Sequence, residues 1–177
     1  MSEFISEAAL RSMLQDIAKL KERVAHLEHQ DPILGGYIVR CYRSTAQSIN
    51  NGAWTAISFD TEQFDTYNLH DNSVNPTRIT LPTVAKYLCV GQANFVSSVA
   101  GAIRGVSIRR NGVSYLAAYY VAPIGGGNET AMPTSAIIET TAANDYIELC
   151  VYQDSGGTLN TATFGSQNPA IAIYRLP

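Results

Sequence analysis

The sequence is short of charge. Asp, Glu, Lys and Arg make up 15% of its 177 residues, against roughly 25% in an ordinary soluble protein, and the basic residues never gather into a run. With a net charge of −3, it lacks the electrostatic footprint that phosphate-dominated binding requires, which excludes nucleic acid as a partner. Long apolar runs are missing too. The longest, Tyr115 to Ile124, is about half the roughly 20 residues that span a bilayer, so no membrane segment is expected. The opening stretch Met1-Ser2-Glu3-Phe4-Ile5-Ser6-Glu7 is acidic and has neither the basic start nor the apolar middle of a secretory signal.

Cysteine is equally scarce. Cys41, Cys89 and Cys150 are an odd, widely spaced set inside apolar or aromatic runs, which predicts buried free thiols and assembly in a reducing cytoplasm. One disulfide with a thiol left over is the alternative. No zinc spacing, nucleophile elbow or dinucleotide fingerprint occurs, so no enzyme, metal or cofactor is expected. What the chain does have is hydrophobic content, 46%, and tyrosine: ten Tyr against five Phe and one Trp. Neutral aromatic surface of this kind is common where partners cover a protein.

Leu10, Met13, Ile17, Leu20, Val24 and Leu27 follow one another at alternating spacings of three and four. This is a heptad seam with Leu10, Ile17 and Val24 at a, and Met13, Leu20 and Leu27 at d. The flanking g and e positions then pair Asp16 with Lys21 and Arg23 with Glu28, opposite charges that favour parallel chains in register. The predicted division is an N-terminal anchor and parallel coiled coil over 1–31, a linker over 32–36 opened by Asp31-Pro32 and closed by Gly35-Gly36, and a β-domain over 37–177. A single amphipathic helix lying on its own β-domain is the alternative. Three heptads are marginal alone, and the seam does not decide between two and three strands.

Beyond Gly36, short stretches rich in Val, Ile, Tyr and Thr alternate with Gly, Pro, Asn and Asp. Strands are predicted at 37–43, 53–59, 78–81, 87–95, 103–110, 113–121, 135–140, 146–152 and 170–175, a spacing that means a sandwich or jelly roll. Asn111-Gly112 marks a tight hairpin, since both residues tolerate positive φ. From Tyr146 to Tyr152, Ile147, Leu149 and Val151 write a core face, while Tyr146, Glu148, Cys150 and Tyr152 write a face that needs water or another surface. Asp60, Glu62, Asp65, His70 and Asp71 contain the raw material of acid–base or metal chemistry, but without spacing they are expected to form a solvated loop. Gly125-Gly126-Gly127-Asn128 is read as a flexible loop.

The order of elements resembles the globular head of complement component 1q and the tumour necrosis factor ligands, over roughly residues 37 to 177. The matching pieces are Ile57-Ser58-Phe59 followed by Asp65, Ile79-Thr80-Leu81-Pro82 leading to Tyr87-Leu88, Ser107-Ile108-Arg109-Arg110-Asn111-Gly112, Asn144-Asp145-Tyr146-Ile147-Glu148-Leu149 running into Tyr152, and Ile171 to Tyr174 at the end. It departs at Ile79, Ala85, Cys89 and Gly91, and a helical seam stands where a collagen-like tract precedes the family's head. The resemblance implies an all-β jelly-roll sandwich of ten strands forming a three-fold homotrimer, with Tyr115, Tyr119, Tyr146, Tyr152 and Tyr174 as candidate interface residues.

A parallel trimer gathers three N-termini at one pole and the jelly-roll loops toward the other. Residues 1–9, with Phe4 and Ile5, are therefore expected to anchor in a larger assembly. The first expectation for function is a bacteriophage virion surface protein assembled in the host cytoplasm: a capsid decoration protein or head fibre, or a receptor-binding tail-fibre tip. Its partners are then itself, a capsid or tail protein, and a host-surface glycan or protein. The second is a secreted trimeric ligand or lectin-like adhesin. The third, a small hydrolase using His70 and Asp71, has little in the sequence behind it.

Overall fold

The computed structural model describes residues 6–30, 36 and 38–176, the side chains of 25–30, 114 and 166 excepted. The chain divides into two compact units, Met1–Gly36 and Tyr37–Pro177. The first holds α1, Glu7–Gln30. Its start is chemically marked: the Ser6 hydroxyl accepts the Ala9 N–H at 3.2 Å, capping one of the orphan donors of the first turn. Glu7 and Arg11 pair one turn apart at 2.7 Å, both largely exposed, which contributes a few tenths of a kcal/mol. This is one helix in one chain, and pairing through its seam is a matter of association between chains. Phe4 and Ile5 lie outside the described residues, as do the side chains of Leu27 and Glu28.

The second unit is an all-β sandwich. Its strands are β1 Ile38–Tyr42, β2 Ser48–Ile49, β3 Thr55–Ala56, β4 Thr61–Asp65, β5 Ile79–Leu81, β6 Lys86–Phe95, β7 Arg104–Arg110, β8 Ser114–Val121, β9 Thr130–Glu139, β10 Asp145–Gln153, β11 Leu159–Asn160 and β12 Ala170–Arg175. One sheet runs β4-β1-β12-β6-β9; the other runs β3-β10-β7-β8, with β5 also paired to β10, and β11 and β2 form a small ribbon. The pairs are antiparallel.

Alternation along the strands builds the core. From the first sheet, Val39, Cys41, Tyr87, Cys89, Ile171 and Ile173 point inward; from the second, Ile79, Leu81, Val106, Ile108, Ile147, Leu149 and Val151, all essentially inaccessible. At about 1.5–3 kcal/mol per fully buried large side chain, this interface is the main source of stability. The β7–β8 turn places Asn111 and Gly112 at φ of 53° and 72°, the geometry that returns two strands with matching twist.

Three expectations are corrected. The described residues hold twelve strands rather than nine or ten; β4 was missed because Thr-Glu-Gln-Phe-Asp carries no β-branched alternation beyond Thr61, yet it pairs β1 along its length. Strand β9 starts at Thr130 rather than Ser135. Pro133 reads as a breaker, but β9 is the edge of its sheet, where a residue without an N–H costs no ladder bond on the open side. The acidic segment is a solvated loop only in part: Asp71 lies in an exposed loop, whereas Glu62 and Asp65 belong to β4 and His70 is 6% exposed.

Candidate functional site

The outward faces of the two sheets differ in chemistry. On the first, the register aligns Ile137, Leu88, Tyr174 and Ile38 across β9, β6, β12 and β1. The next row is Ser135, Val90, Ala172, Arg40 and Phe64. Ile137 is 67% exposed and Val90 48%, with Leu88, Tyr174 and Phe64 more than a third exposed. Aliphatic side chains adjoining at sheet spacing make a contiguous apolar surface, the kind that marks an interaction site. Its one charge in these two rows, Arg40, bonds Gln63 at the edge.

On the outward face of the second sheet the aromatic rings pack on one another, while Tyr115 and Tyr120 keep 45% and 54% of their surface open to water. Trp54, just ahead of β3, packs against Tyr115, Tyr120 and Tyr152 with ring centroids at 5.4, 5.8 and 5.6 Å. Gly105 lies beneath: a Cβ there would meet Trp54 at 3.0 Å and Tyr120 at 3.2 Å, so the missing side chain is what lets the rings lie down on the strand. Beside them Arg109 donates to Glu148 at 2.9 and 3.0 Å, and Thr77 donates to the other Glu148 oxygen at 3.1 Å. This buried pair is fully bonded, which is the condition for burying charge without loss.

The candidate tyrosines therefore do not share one face. A bulge between Ile108 and Arg109 pairs Ile108 with Ala117 and Arg109 with Tyr115, leaving Leu116 as an extra residue. Strict alternation would set Tyr115 and Tyr119 together; the bulge instead turns Tyr115 to the side of Tyr120 and Tyr152. Tyr119 pairs the buried Val106 and so stands on the inner side of the sheet, but on the edge strand β8 it stays 43% exposed. Tyr146 stacks beneath Arg78, and Tyr174 belongs to the other sheet. Trp54, the centre of the cluster, was not picked out from the sequence. Its signal was available: it is the one tryptophan, placed directly between a Gly turn and a strand.

Along α1, Leu10, Met13, Ile17, Leu20 and Val24 are all between 46% and 55% exposed, and Leu14 at the neighbouring e position is 57% exposed. Asp16, Lys21 and Arg23 are also exposed.

The acidic segment is built into the fold. His70 Nδ1 lies 3.0 Å from Glu62 Oε1 and Nε2 lies 3.1 Å from the Pro76 carbonyl; its backbone N–H donates to Asp65 at 2.8 Å. Both ring nitrogens are thus engaged. Asp71 accepts the Ser73 and Val74 N–H groups, which hold its carboxyl below the usual range. Among the described residues no group of three or more His, Cys, Asp or Glu is placed to hold a metal, and no helix is long and apolar enough to cross a membrane. Cys41, Cys89 and Cys150 are buried and unpaired. Burial pushes each thiol up to about 12, with Glu62 and Asp65 adding to the effect at Cys41.

No protein-family model and no curated protein matches the chain. Solved structures do. Murine APRIL at pH 5.0 superposes with a TM-score of 0.60 at 9% identity, over 79% of this chain and 98% of that one. Eiger TNF from S. frugiperda gives 0.57 at 9%, over 80% and 92%. The globular domain of zebrafish complement 1qA gives 0.52 at 8%, over 78% and 94%. At such identities the likeness speaks to architecture: the β-domain has the jelly-roll fold of the tumour necrosis factor and complement 1q heads.

Proposed function

We propose that the protein is a homotrimeric, non-enzymatic display and recognition module of a bacteriophage virion surface. Three jelly-roll heads pack through the outward face of the first sheet, and three copies of α1 wind in parallel through the Leu10 to Leu27 seam. Asp16–Lys21 and Arg23–Glu28 pair between chains. Residues ahead of the helix, with Phe4 and Ile5, anchor the trimer in a capsid or tail protein, and the head faces outward as a decoration, head fibre or tail-fibre tip.

The observation that carries this reading is the apolar surface around Leu88, Val90 and Ile137, which a lone head leaves open to water and which a second copy can cover. The heptad spacing of α1 adds support from an independent element. Multiplying one face by three makes weak single-site recognition strong. Sedimentation of the full chain at micromolar concentration tests it: a mass of three chains is expected, and a well-folded single chain would overturn the proposal.

The second reading, a secreted trimeric ligand or adhesin, draws on the likeness to APRIL and Eiger heads. Three buried free thiols weigh toward assembly in a reducing compartment and so toward the virion. Images of the native particle that contains the chain distinguish the two, and copies at three-fold or quasi-three-fold capsid positions distinguish decoration from a tail tip.

A further inference from the structure

Beside β5 and the start of β10, the β-domain carries an open cavity of about 310 Å³ whose walls include Asn68, Asp71, Asn75, Arg78, Asn144 and Tyr146. Its volume falls at the lower end of small-ligand sites. The composition is specific. Arg78 Cζ lies 4.2 Å from the centroid of the Tyr146 ring. Stacked in this way, a guanidinium rests one face on the aromatic and keeps its N–H edges for partners in its own plane.

Those partners are missing. Arg40, Arg43, Arg104, Arg109 and Arg110 each donate to a side-chain or backbone oxygen. Among the described residues, no such oxygen pairs with the Arg78 guanidinium. Arg78 is nonetheless half-buried. A fork of donors held in a preset plane, partly withdrawn from water and uncompensated, is the arrangement that receives a carboxylate.

The rest of the wall reads hydroxyls. Asn68, Asn75 and Asn144 bring amides, each both donor and acceptor, and all three hold left-handed backbone at φ of 53°, 55° and 67°. Asp71 spends Oδ1 on Ser73 and Val74, and Oδ2 has no partner among the described residues. Its negative charge also selects. A phosphate dianion would meet Asp71 with a single arginine to balance it, whereas a carboxylate carries one charge and matches one guanidinium. His70 offers nothing more, because its ring nitrogens are committed to Glu62 and Pro76.

We infer that this cavity binds a carboxylated sugar, the carboxylate on the Arg78 fork and the ring hydroxyls on the asparagine amides and Asp71. This deepens the reading of the head as a recognition module, yet the whole site lies within one chain and does not require the trimer.

The test is calorimetric titration of the full chain with sialyllactose, a glucuronate-terminated disaccharide, lactose and inorganic phosphate. Sialyllactose, the glucuronate or both are expected to bind with a dissociation constant on the order of 1 mM per site, while lactose and phosphate do not. Whichever acidic sugar binds identifies the source. Arg78→Gln is expected to weaken it at least tenfold, roughly the loss of one charge-assisted bidentate pair. Asn75→Gly removes an amide where glycine adopts the same φ without strain, so a severalfold loss at unchanged melting temperature is expected even if the arginine variant folds poorly. Failure of both acidic sugars at about 10 mM, equal binding of lactose or phosphate, or wild-type affinity in both variants would overturn the site. Oligomeric state is read separately by sedimentation, so a trimer that binds no sugar sinks this inference alone.

Discussion

The two outer faces of the sandwich solve the same problem in different ways. Both are extended β surfaces with side chains standing off at every second residue. The second sheet carries its own cover: Trp54 lies across Gly105 among Tyr115, Tyr120 and Tyr152, and Glu148 is saturated by Arg109 and Thr77. The first sheet has no such ring cluster or buried ion pair on its outward side, and Ile137 at 67% and Val90 at 48% exposure stand there as aliphatic groups, whereas the exposed groups of the second sheet include Tyr115 and Tyr120, which pack on Trp54. Rings packed on one another within a chain stabilise that chain, whereas a row of exposed aliphatic groups gains contacts only from another surface.

That contrast is broken most severely by a charge on the open face. Val90→Asp, with 48% exposure in the single chain, leaves the head's own core untouched and is expected to cost the monomer less than about 0.5 kcal/mol. In a trimer packed through this face, three unpaired carboxylates would be buried together, which assembly does not tolerate. Sedimentation is expected to fall to one chain while the circular dichroism of the head persists. If the variant keeps the wild-type mass, the first sheet is not the interface.

The next effect lies on the aromatic face. Trp54→Ala removes the ring that three tyrosines pack on, and a half-buried indole is expected to cost about 2 kcal/mol of head stability. The oligomeric mass should not change, the opposite signature to Val90→Asp. A denaturant midpoint that moves together with a loss of mass would show that the aromatic face also serves assembly.

How much of this contrast the sequence discloses depends on how locally each feature is encoded. Alternation at 146–152 marks the core side of β10, because Ile147, Leu149 and Val151 are all buried, and the Asn111-Gly112 turn is set by two adjacent residues. Features that need a partner strand were not legible. Nothing in Ser-Tyr-Leu-Ala-Ala-Tyr-Tyr-Val announces that Leu116 is bulged, since the bulge is a property of pairing with β7, and one inserted residue reverses the side on which Tyr115 emerges. The same holds for Glu62 and His70, separated by a polar stretch that reads as loop until β4 docks on β1. The Arg78 cavity gathers residues from two distant stretches, 68–80 and 144–146, and has no sequence signature.

A smaller effect comes from the turn that ties the second sheet together. Asp145, 6% exposed, accepts from Asn111 at 2.7 Å, from the Thr141 N–H at 2.7 Å and from the Ala142 N–H at 3.3 Å. These bonds, the Asn111 amide first, hold its carboxyl below the usual carboxylate range. A depressed folded-state value means stability that is complete above the unfolded value of about 3.9 and is lost as pH falls through the folded one. Asp145→Asn is thus expected to be about 1.5 kcal/mol less stable near pH 7. The gap between the two proteins should narrow steadily as melting is measured at lower pH below about 4. A gap constant with pH would show that shape and not charge holds the turn.

The finest probe is Gly105, because it tests whether the aromatic cover rests on the strand or merely near it. Its backbone is not in the left-handed region, so alanine introduces no φ strain, and any effect must come from contact. The added methyl would meet the Trp54 ring at 3.0 Å and the Tyr120 ring at 3.2 Å, and both rings are exposed enough on their far sides to lift by a few tenths of an ångström. Gly105→Ala is accordingly expected to cost about 1 kcal/mol and to change the near-ultraviolet dichroism of Trp54 without changing mass. In the Trp54→Ala background the cost should fall to a fraction of that, since only the Tyr120 contact at 3.2 Å remains and that ring is free to shift into space the indole has left. A full cost persisting there would assign the glycine to the pairing of β7 with its neighbours and separate it from the cover.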